Sequence, residues 1–280
     1  MGYDAFGLSE ITSRRSRLWR QLAAEFMGTL FIVLLGCGST VSGWQDGDVA
    51  TVFRIAFAFG FAVAAVVEAF GHVSGGHVNP AVTVAMLFVR RIQLIPGLLY
   101  IVFQLLGATT GAALLQVLTP AHLNSSLGLN TINQHLNSGQ GLGVEFMITL
   151  LLILVVFSVT DEHRGEIKGA ASVIIGITVT VGHLFSIRYT GCGMNPARVF
   201  GPAAVTGSWD NHWAYWIGEC GGAIFAALLY IVIFCADDSG IYNRVFRTLC
   251  SSSSVDNLDQ KESIPVSTVS VERIPERITQ

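Results

Sequence analysis

Apolar residues of this chain are gathered into six long runs that polar connections separate. Each run approaches the about 20 residues that a helix needs to cross a hydrocarbon core about 30 Å thick. The runs cover residues 21–43, 52–70, 95–118, 142–160, 169–185 and 213–235. They contain the small residues that let membrane helices pack closely, such as Gly107, Gly111, Gly221 and Gly222. The pattern predicts an all-α membrane protein with six transmembrane helices.

Two shorter apolar segments follow Gly-rich stretches and begin in the same way. Asn79-Pro80-Ala81 and Asn195-Pro196-Ala197 each place Asn at the N-cap of a helix and Pro in its first turn. About ten mostly apolar residues follow, which at about 1.5 Å per residue cover only half of the core. We therefore predict two half-helices that enter from opposite faces and meet at their Asn residues.

The predicted meeting point has distinctive chemistry. An Asn that caps its own helix gives its side-chain oxygen to backbone N–H groups and turns its NH2 group away. Asn79 and Asn195 would present paired donors, and no acceptor, at the positive ends of two helix dipoles. Such a point favours a neutral hydrogen-bond acceptor over a cation or proton. The alternative of two ordinary caps in surface loops does not explain a second copy at membrane depth.

The two halves of the chain repeat the same residue order. Glu25-Phe26-Met27 in the first span recurs as Glu145-Phe146-Met147 in the fourth, and Tyr100 with Gln104 recurs as Tyr215 with Glu219. Because each half has three spans, the second half must be inverted. We predict a channel domain over 20–236, built from inverted repeats at about 20–118 and 142–236, with a pathway at their interface.

Basic residues are distributed unequally between the connections, which predicts the orientation. By the positive-inside rule both tails, 1–19 and 237–280, lie in the cytosol. The basic residues on this side are Arg14, Arg15, Arg17, Arg20, Arg90, Arg91, Arg164, Lys168, Arg244 and Arg247, whereas the first outer connection carries Asp46 and Asp48. The Ser-rich C-terminal tail is predicted to be disordered, and Ser251 is more simply an ordinary serine than a phosphorylation site. Asn124-Ser125-Ser126 fits the glycosylation sequon and is a candidate site.

Composition agrees with a membrane protein and narrows the function classes. The chain is 51% hydrophobic and 12% charged, about half the usual charge of a soluble domain. Its five cysteines are scattered, so we infer neither a disulfide framework nor a metal site. They are Cys37, Cys192, Cys220, Cys235 and Cys250. We expect no enzyme activity, no cofactor and no nucleic-acid partner.

Two Asn-Pro-Ala boxes in inverted halves of a six-span chain, the second followed by Arg198, resemble the aquaporin (major intrinsic protein) family over about residues 19–236. The resemblance, which is strongest to water-selective animal members, implies an aquaporin-like fold and homotetramers with one pore per subunit. The expected location is the plasma membrane. The resemblance also implies a narrow outer filter of the pore, called the aromatic/arginine filter. In this chain its four residues are Phe59, His183, Cys192 and Arg198. The implied function is a passive water channel that excludes protons and ions.

The filter residues also bear on the alternative, a broader channel for glycerol, urea or hydrogen peroxide. Glycerol-conducting relatives typically have a small residue where this chain has bulky His183, so water is favoured. Arg198 is a cation near a positive helix end at membrane depth, a locally unfavourable choice that indicates function. Ala203, Tyr215 and Trp216 fit water-selective members, whereas Val199 replaces the small polar residue common there. A thiol at Cys192 would line the narrowest part, so mercurials should block flow.

Further polar residues in the spans have competing interpretations. Glu25, Glu145 and Gln104 are interpreted as partners of the loops before the boxes rather than as proton relays. His72 and His77 are either pH gates or partners of backbone carbonyls, and the second is favoured. For Glu219, where relatives usually have Pro, an interhelical hydrogen bond or an interfacial site is favoured. An ion-coupled transporter is disfavoured because no acid-base pair is evidently placed for an ion, and a scaffold would not need Arg198.

Overall fold

The computed structural model describes residues 17–45, 47–123, 126–164 and 169–235, and these ranges are helical without strands. The helices are α1 (Leu18–Gly38), α2 (Val52–Ser74), α3 (Pro80–Phe88), α4 (Leu94–Leu118), α5 (Ser138–Val159), α6 (Ala171–Thr190), α7 (Pro196–Thr206) and α8 (His212–Leu229), which a π-helical turn extends over Tyr230–Phe234. Six are long and apolar enough to span a membrane. The predicted class, six transmembrane helices and two half-helices (α3 and α7), is confirmed. The predictions for Asn124, Ser251, the tail 237–280 and nearly all of the tail 1–19 fall outside the described residues.

Three of the helix boundaries that differ from the sequence prediction have clear local reasons. Helix α1 ends at Gly38, because the hydroxyl groups of Ser39 and Thr40 turn onto carbonyls of its last turn. Helix α5 begins earlier than predicted, at Ser138, since Asn137 forms a capping box with the third residue of the helix. Helix α6 continues to Thr190, and Gly191 in the left-handed conformation ends it. Polar capping residues or a left-handed glycine, not loss of hydrophobicity, set these ends.

Packing repeats between the two halves. Helix α1 packs along α4, and the equivalent helices α5 and α8 do the same, while α2 packs along α6 to join the halves. The half-helix α3 lies against α8, and α7 lies against α4. Each half-helix therefore rests on the third span of the opposite half, which brings the N-termini of α3 and α7 to the centre of the bundle.

Polarity is reversed relative to a soluble protein. Glu25, Gln104, Glu145 and Glu219 are buried, whereas the phenylalanines of α2 at positions 53, 57 and 61 are exposed and stack in a row. A lipid solvent accepts such an apolar surface and leaves the interior to polar groups that serve the irregular backbone. The polar interior therefore marks where the chain departs from regular helices.

The outer connection between α1 and α2 is held by Arg54. Its guanidinium donates to Asp48 at 2.9 Å and to the carbonyls of Ser39 and Val41. The hydrogen bond from Arg54 lowers the pKa of the Asp48 carboxyl below its usual value. This structural function explains why a basic residue stands on the outer side, where the distribution of charge predicts few.

Candidate pore

Both half-helices begin as the sequence predicts. The Asn79 side-chain oxygen accepts from the N–H of Ala81 at 2.8 Å, with Pro80 in the first turn. The Asn195 side-chain oxygen accepts from the N–H of Ala197 at 3.0 Å, with Pro196 in the first turn. The predicted N-caps are therefore confirmed in both boxes.

The amide nitrogens of the two asparagines tie the halves together. Asn79 Nδ2 donates to the carbonyl of Met194 at 2.8 Å, and Asn195 Nδ2 donates to the carbonyl of Val78 at 2.9 Å. The expectation of NH2 groups that serve only the lumen is therefore corrected, because one hydrogen of each is held by the opposite loop. Val78 and Met194 have positive φ angles of 44° and 54°, and this conformation turns their carbonyls toward the other half. One hydrogen of each amide remains for a passing molecule.

A buried carboxylate stands behind the first loop. Glu25 accepts from the N–H groups of His77 and Val78 at 3.0 and 2.6 Å and from the Ser74 hydroxyl. Gln104 does not accept a backbone N–H as expected; its amide donates to Glu25 at 2.7 Å and to Thr83. Gln104 therefore supports the loop through Glu25.

The second loop has the equivalent arrangement. Glu145 accepts from the N–H groups of Gly193 and Met194 at 2.9 and 3.0 Å and from the Thr190 hydroxyl. Tyr215 donates its hydroxyl to the Thr190 carbonyl, as Tyr100 does to Ser74 in the first half. The loop-supporting positions expected of Glu25 and Glu145 are those the structure shows.

Three of the four expected filter residues meet on one side of the loops. The rings of Phe59 and His183 stack with centroids 4.4 Å apart, and the Arg198 guanidinium carbon lies 4.9 Å from the Phe59 centroid. Arg198 Nη1 donates to the carbonyl of Gly128 at 2.7 Å. Gly128 was not predicted. The available sequence signal was a glycine in the polar connection, which the structure places at a positive φ of 74°.

The filter keeps two polar atoms without a protein partner. His183 Nδ1 donates to the Val179 carbonyl at 2.9 Å, so Nε2 of the neutral ring is an acceptor. Neither His183 Nε2 nor Arg198 Nε has a hydrogen-bond partner within the described ranges. The filter therefore offers one acceptor and one donor beside the apolar ring of Phe59.

A cavity of about 120 Å³ joins the filter to both boxes. Its polar side chains are those of His183, Arg198, Asn79, Asn195, His77 and Thr160, and the remaining wall is mostly apolar. The asparagines and three filter residues therefore share one lumen.

Cys192 lies differently from the expected wall position. Its side chain is fully buried, it is not among the residues that line this cavity, and its thiol lies beside the Ser186 hydroxyl. The neighbouring Gly193 and Met194 line the cavity instead. Whether mercury reaches Cys192 stays a prediction.

The other residues with open interpretations are placed as follows. His77 lines the cavity, contacts the Thr83 hydroxyl at 3.1 Å and meets Tyr100 edge to face, so its ring does not serve a carbonyl as expected. His72 is exposed and Glu219 is fully buried, and neither lines the cavity. Trp216 donates to His212 on its own helix. Within the described ranges, no group of three or more His, Cys, Asp or Glu residues is arranged to hold a metal ion.

Comparison with known proteins agrees with this geometry. The sequence model of the family described as Major intrinsic protein matches residues 12–230. Aquaporin-4 of Mus musculus is 45% identical over 221 residues, which cover 78% of this chain and 68% of that protein. Aquaporin-2 of Bos taurus is 47% identical over 211 residues, which cover 75% and 77%.

The fold also matches a solved structure. The aquaglyceroporin of Plasmodium falciparum superposes with a TM-score of 0.70 at 23% identity and covers 78% of this chain and 97% of its own. That likeness concerns the fold alone. Because the family model and both relatives cover most of the chain, this protein belongs to the major intrinsic protein family.

Proposed function

We propose that this chain is a channel, not an enzyme, that conducts water in single file down osmotic gradients and excludes protons and ions. The observation that carries the proposal is that one cavity is lined by all five of Phe59, His183, Arg198, Asn79 and Asn195. Its relatives named Aquaporin-4 and Aquaporin-2 support the same function.

The filter offers a donor and an acceptor that one water molecule can use at the same time. Arg198 Nε donates to the water oxygen, while His183 Nε2 accepts one of its hydrogens. The Phe59 ring fills the third side, so a solute with a carbon skeleton meets a wall instead of space. Because Arg has no neutral form at physiological pH, a cation that enters here is repelled. These properties favour water over the larger alternative permeants, glycerol and urea.

The two Asn-Pro-Ala boxes prevent proton transfer along the file of water molecules. The remaining hydrogens of the Asn79 and Asn195 amides donate to the oxygen of a passing water, at the positive ends of α3 and α7. Both lone pairs of that water are then engaged, so it cannot accept a proton from the next water in the file. The helix dipoles oppose a cation at the same point.

The test is an osmotic step on vesicles that contain the purified chain. We expect fast shrinkage, no entry of glycerol above protein-free vesicles, and no proton flux with an enclosed pH-sensitive dye. Substantial glycerol entry would favour the broader channel, and proton flux coupled to transport would contradict the proposal.

Replacing His183 with Gly and Arg198 with Val together should widen the filter and remove its charge. We expect glycerol and urea permeability to rise roughly tenfold or more, because a pocket's discrimination depends on the volume and polar groups that line it. Solute uptake into vesicles measures the change. His72→Gly, a histidine outside the cavity, is the matched control, and unchanged selectivity in the double variant would show that the filter lies elsewhere.

Mercury should inhibit water flow through Cys192 if the reagent reaches its thiol from the neighbouring lumen. We expect slow inhibition, because the side chain is fully buried, and we expect Cys192→Ser to abolish it. Cys220→Ser and Cys235→Ser, which change partly exposed thiols, should retain the inhibition. Inhibition that survives Cys192→Ser would assign the block to another cysteine.

The family resemblance supports a proposal for the assembly and the location. We propose a homotetramer in the plasma membrane, with one pore per subunit, lipid around it and both termini in the cytosol. Arg90 and Arg91, which follow α3 on the predicted cytosolic side, support this orientation. Chemical cross-linking in native membranes tests the assembly, and antibody access to tags at each terminus in intact cells tests the orientation.

A further inference from the structure

Glu219 is a buried acid that the pore does not use. Its side chain is fully buried in α8 and does not line the cavity. Neither carboxyl oxygen receives a well-aligned hydrogen bond in the described part of the chain, and the groups within reach are the Glu145 carboxyl and the N–H of Asn195. An ionised carboxylate with so few donors is costly at membrane depth.

Glu219 stands directly behind the loop that carries the second box. A Cβ placed on Gly193 would collide with Glu219 Oε1 and would lie 3.0 Å from Glu145 Oε2. One carboxyl oxygen of Glu219 and one of Glu145 therefore lie against the same glycine. Because Gly193 lines the cavity, only one layer of backbone separates this pair of acids from the lumen.

The first half of the protein provides an internal comparison. By the repeat, Glu145 corresponds to Glu25 and Glu219 corresponds to Gln104. Gln104 donates its amide hydrogen to Glu25 at 2.7 Å. A glutamate in the corresponding position has a hydrogen to donate only when its carboxyl group is protonated.

The charges around Glu219 also favour its protonated form. Arg198 on α7 is the cation whose field reaches Glu219, and its Nη1 is held by a backbone carbonyl. The other titratable groups whose interaction with Glu219 is evident are Glu145, Tyr215, Cys192 and Cys220. Glu145 already receives two loop N–H groups and the Thr190 hydroxyl, so it is the better solvated anion of the two. A second negative charge beside it would be opposed by repulsion at low dielectric.

We propose that Glu219 and Glu145 form a binding site for a single proton, which Glu219 carries and donates to Glu145, and that this proton holds the second pore loop in place. Loss of the proton leaves two carboxylates against Gly193, and their repulsion displaces the loop and the filter beside it. Water permeability should therefore fall several-fold and reversibly at alkaline pH. The proposal is independent of which solute the channel conducts.

Infrared spectroscopy of the full chain in lipid vesicles tests the site directly. At neutral pH we expect the C=O stretching band of a protonated carboxylic acid, shifted in D2O and absent from Glu219→Gln. Glu68→Gln is the matched control, because Glu68 is an exposed membrane-helix acid that accepts from Ser172, and the band should remain. The band of the unmodified chain should disappear as the pH rises, together with its water permeability, and Glu219→Gln should remove that pH dependence.

Three results would overturn the proposal. Wild-type protein without the band would mean that both acids are ionised, and a band that persists in Glu219→Gln would place the proton elsewhere. A permeability that depends on sodium or potassium, compared with choline, would assign a metal cation to the pair instead of a proton. Because the titration of the unmodified chain is informative by itself, misfolding of a variant would not prevent a decision.

Discussion

Glu25→Ala is expected to remove nearly all water permeability, because one carboxylate supports the whole first pore loop. The substitution leaves three donors without this acceptor, the His77 and Val78 N–H groups and the Ser74 hydroxyl. It also removes one of the two acceptors of the Gln104 amide, which keeps the Thr83 hydroxyl. At about 1–3 kcal/mol for each unsatisfied buried group, the loss is comparable with a typical total stability of about 5–15 kcal/mol. The measurement is osmotic permeability per reconstituted protein, together with the monodisperse fraction in detergent.

Two further variants separate the loop effect from the loss of any membrane acid. Glu25→Gln keeps one carbonyl acceptor and should give an intermediate loss. Glu68→Ala removes an exposed acid that accepts a single hydrogen bond from Ser172, so it should lower stability by no more than about 1 kcal/mol. Wild-type permeability in Glu25→Ala would contradict the loop-supporting function.

Short-range sequence patterns predicted most of the fold. The lengths of the apolar runs predict the six spans, and the Asn-Pro order predicts the starts of α3 and α7, because capping depends on residues within one turn. The acids Glu25 and Glu145 were also identifiable, since an acid in an apolar run needs donors and the only irregular backbone nearby is that of the loops. These conclusions needed no knowledge of which distant residues meet.

Several contacts across long sequence separations were not predicted from the sequence. The amide of Asn79 donates to the carbonyl of Met194 because two non-glycine residues adopt positive φ angles, a conformation with no strong residue signal at Val or Met. The carbonyl that holds Arg198 comes from Gly128, 70 positions away. Burial of Cys192 beside Ser186 depends on the same loop conformation.

The two halves support their pore loops with equivalent residues at two positions and with different residues at a third. Tyr100 and Tyr215 hold equivalent carbonyls, and Glu25 and Glu145 hold equivalent N–H groups. Only the third member of each set differs, Gln104 in one half and Glu219 in the other. The inverted repeat therefore isolates this difference within one chain.

Gly107→Val is expected to prevent formation of a folded channel. At this residue the backbone of α1 occupies the space that a side chain on α4 would need. A Cβ here would meet the Phe26 carbonyl oxygen and would lie 3.0 Å from the carbonyl carbon and 3.1 Å from Cα. Backbone cannot rotate away as a side chain does, so the helices must separate and lose their packing. Overpacking by a single carbon costs about 1–3 kcal/mol, and valine adds two more methyl groups.

The inverted repeat makes this expectation sharper. Gly222 of α8 faces the Phe146 carbonyl in the same way, so Gly222→Val should be as damaging as Gly107→Val, and Gly107→Ala should show a smaller loss. Gly143→Ala is the matched control, since nothing lies within 4 Å of its added Cβ and alanine favours a helix interior by roughly 0.5–1 kcal/mol over glycine. Thermal unfolding in detergent and the yield of monodisperse protein give the comparison. Equal behaviour of Gly107→Ala and Gly143→Ala would show that the close crossing of α1 and α4 does not limit stability.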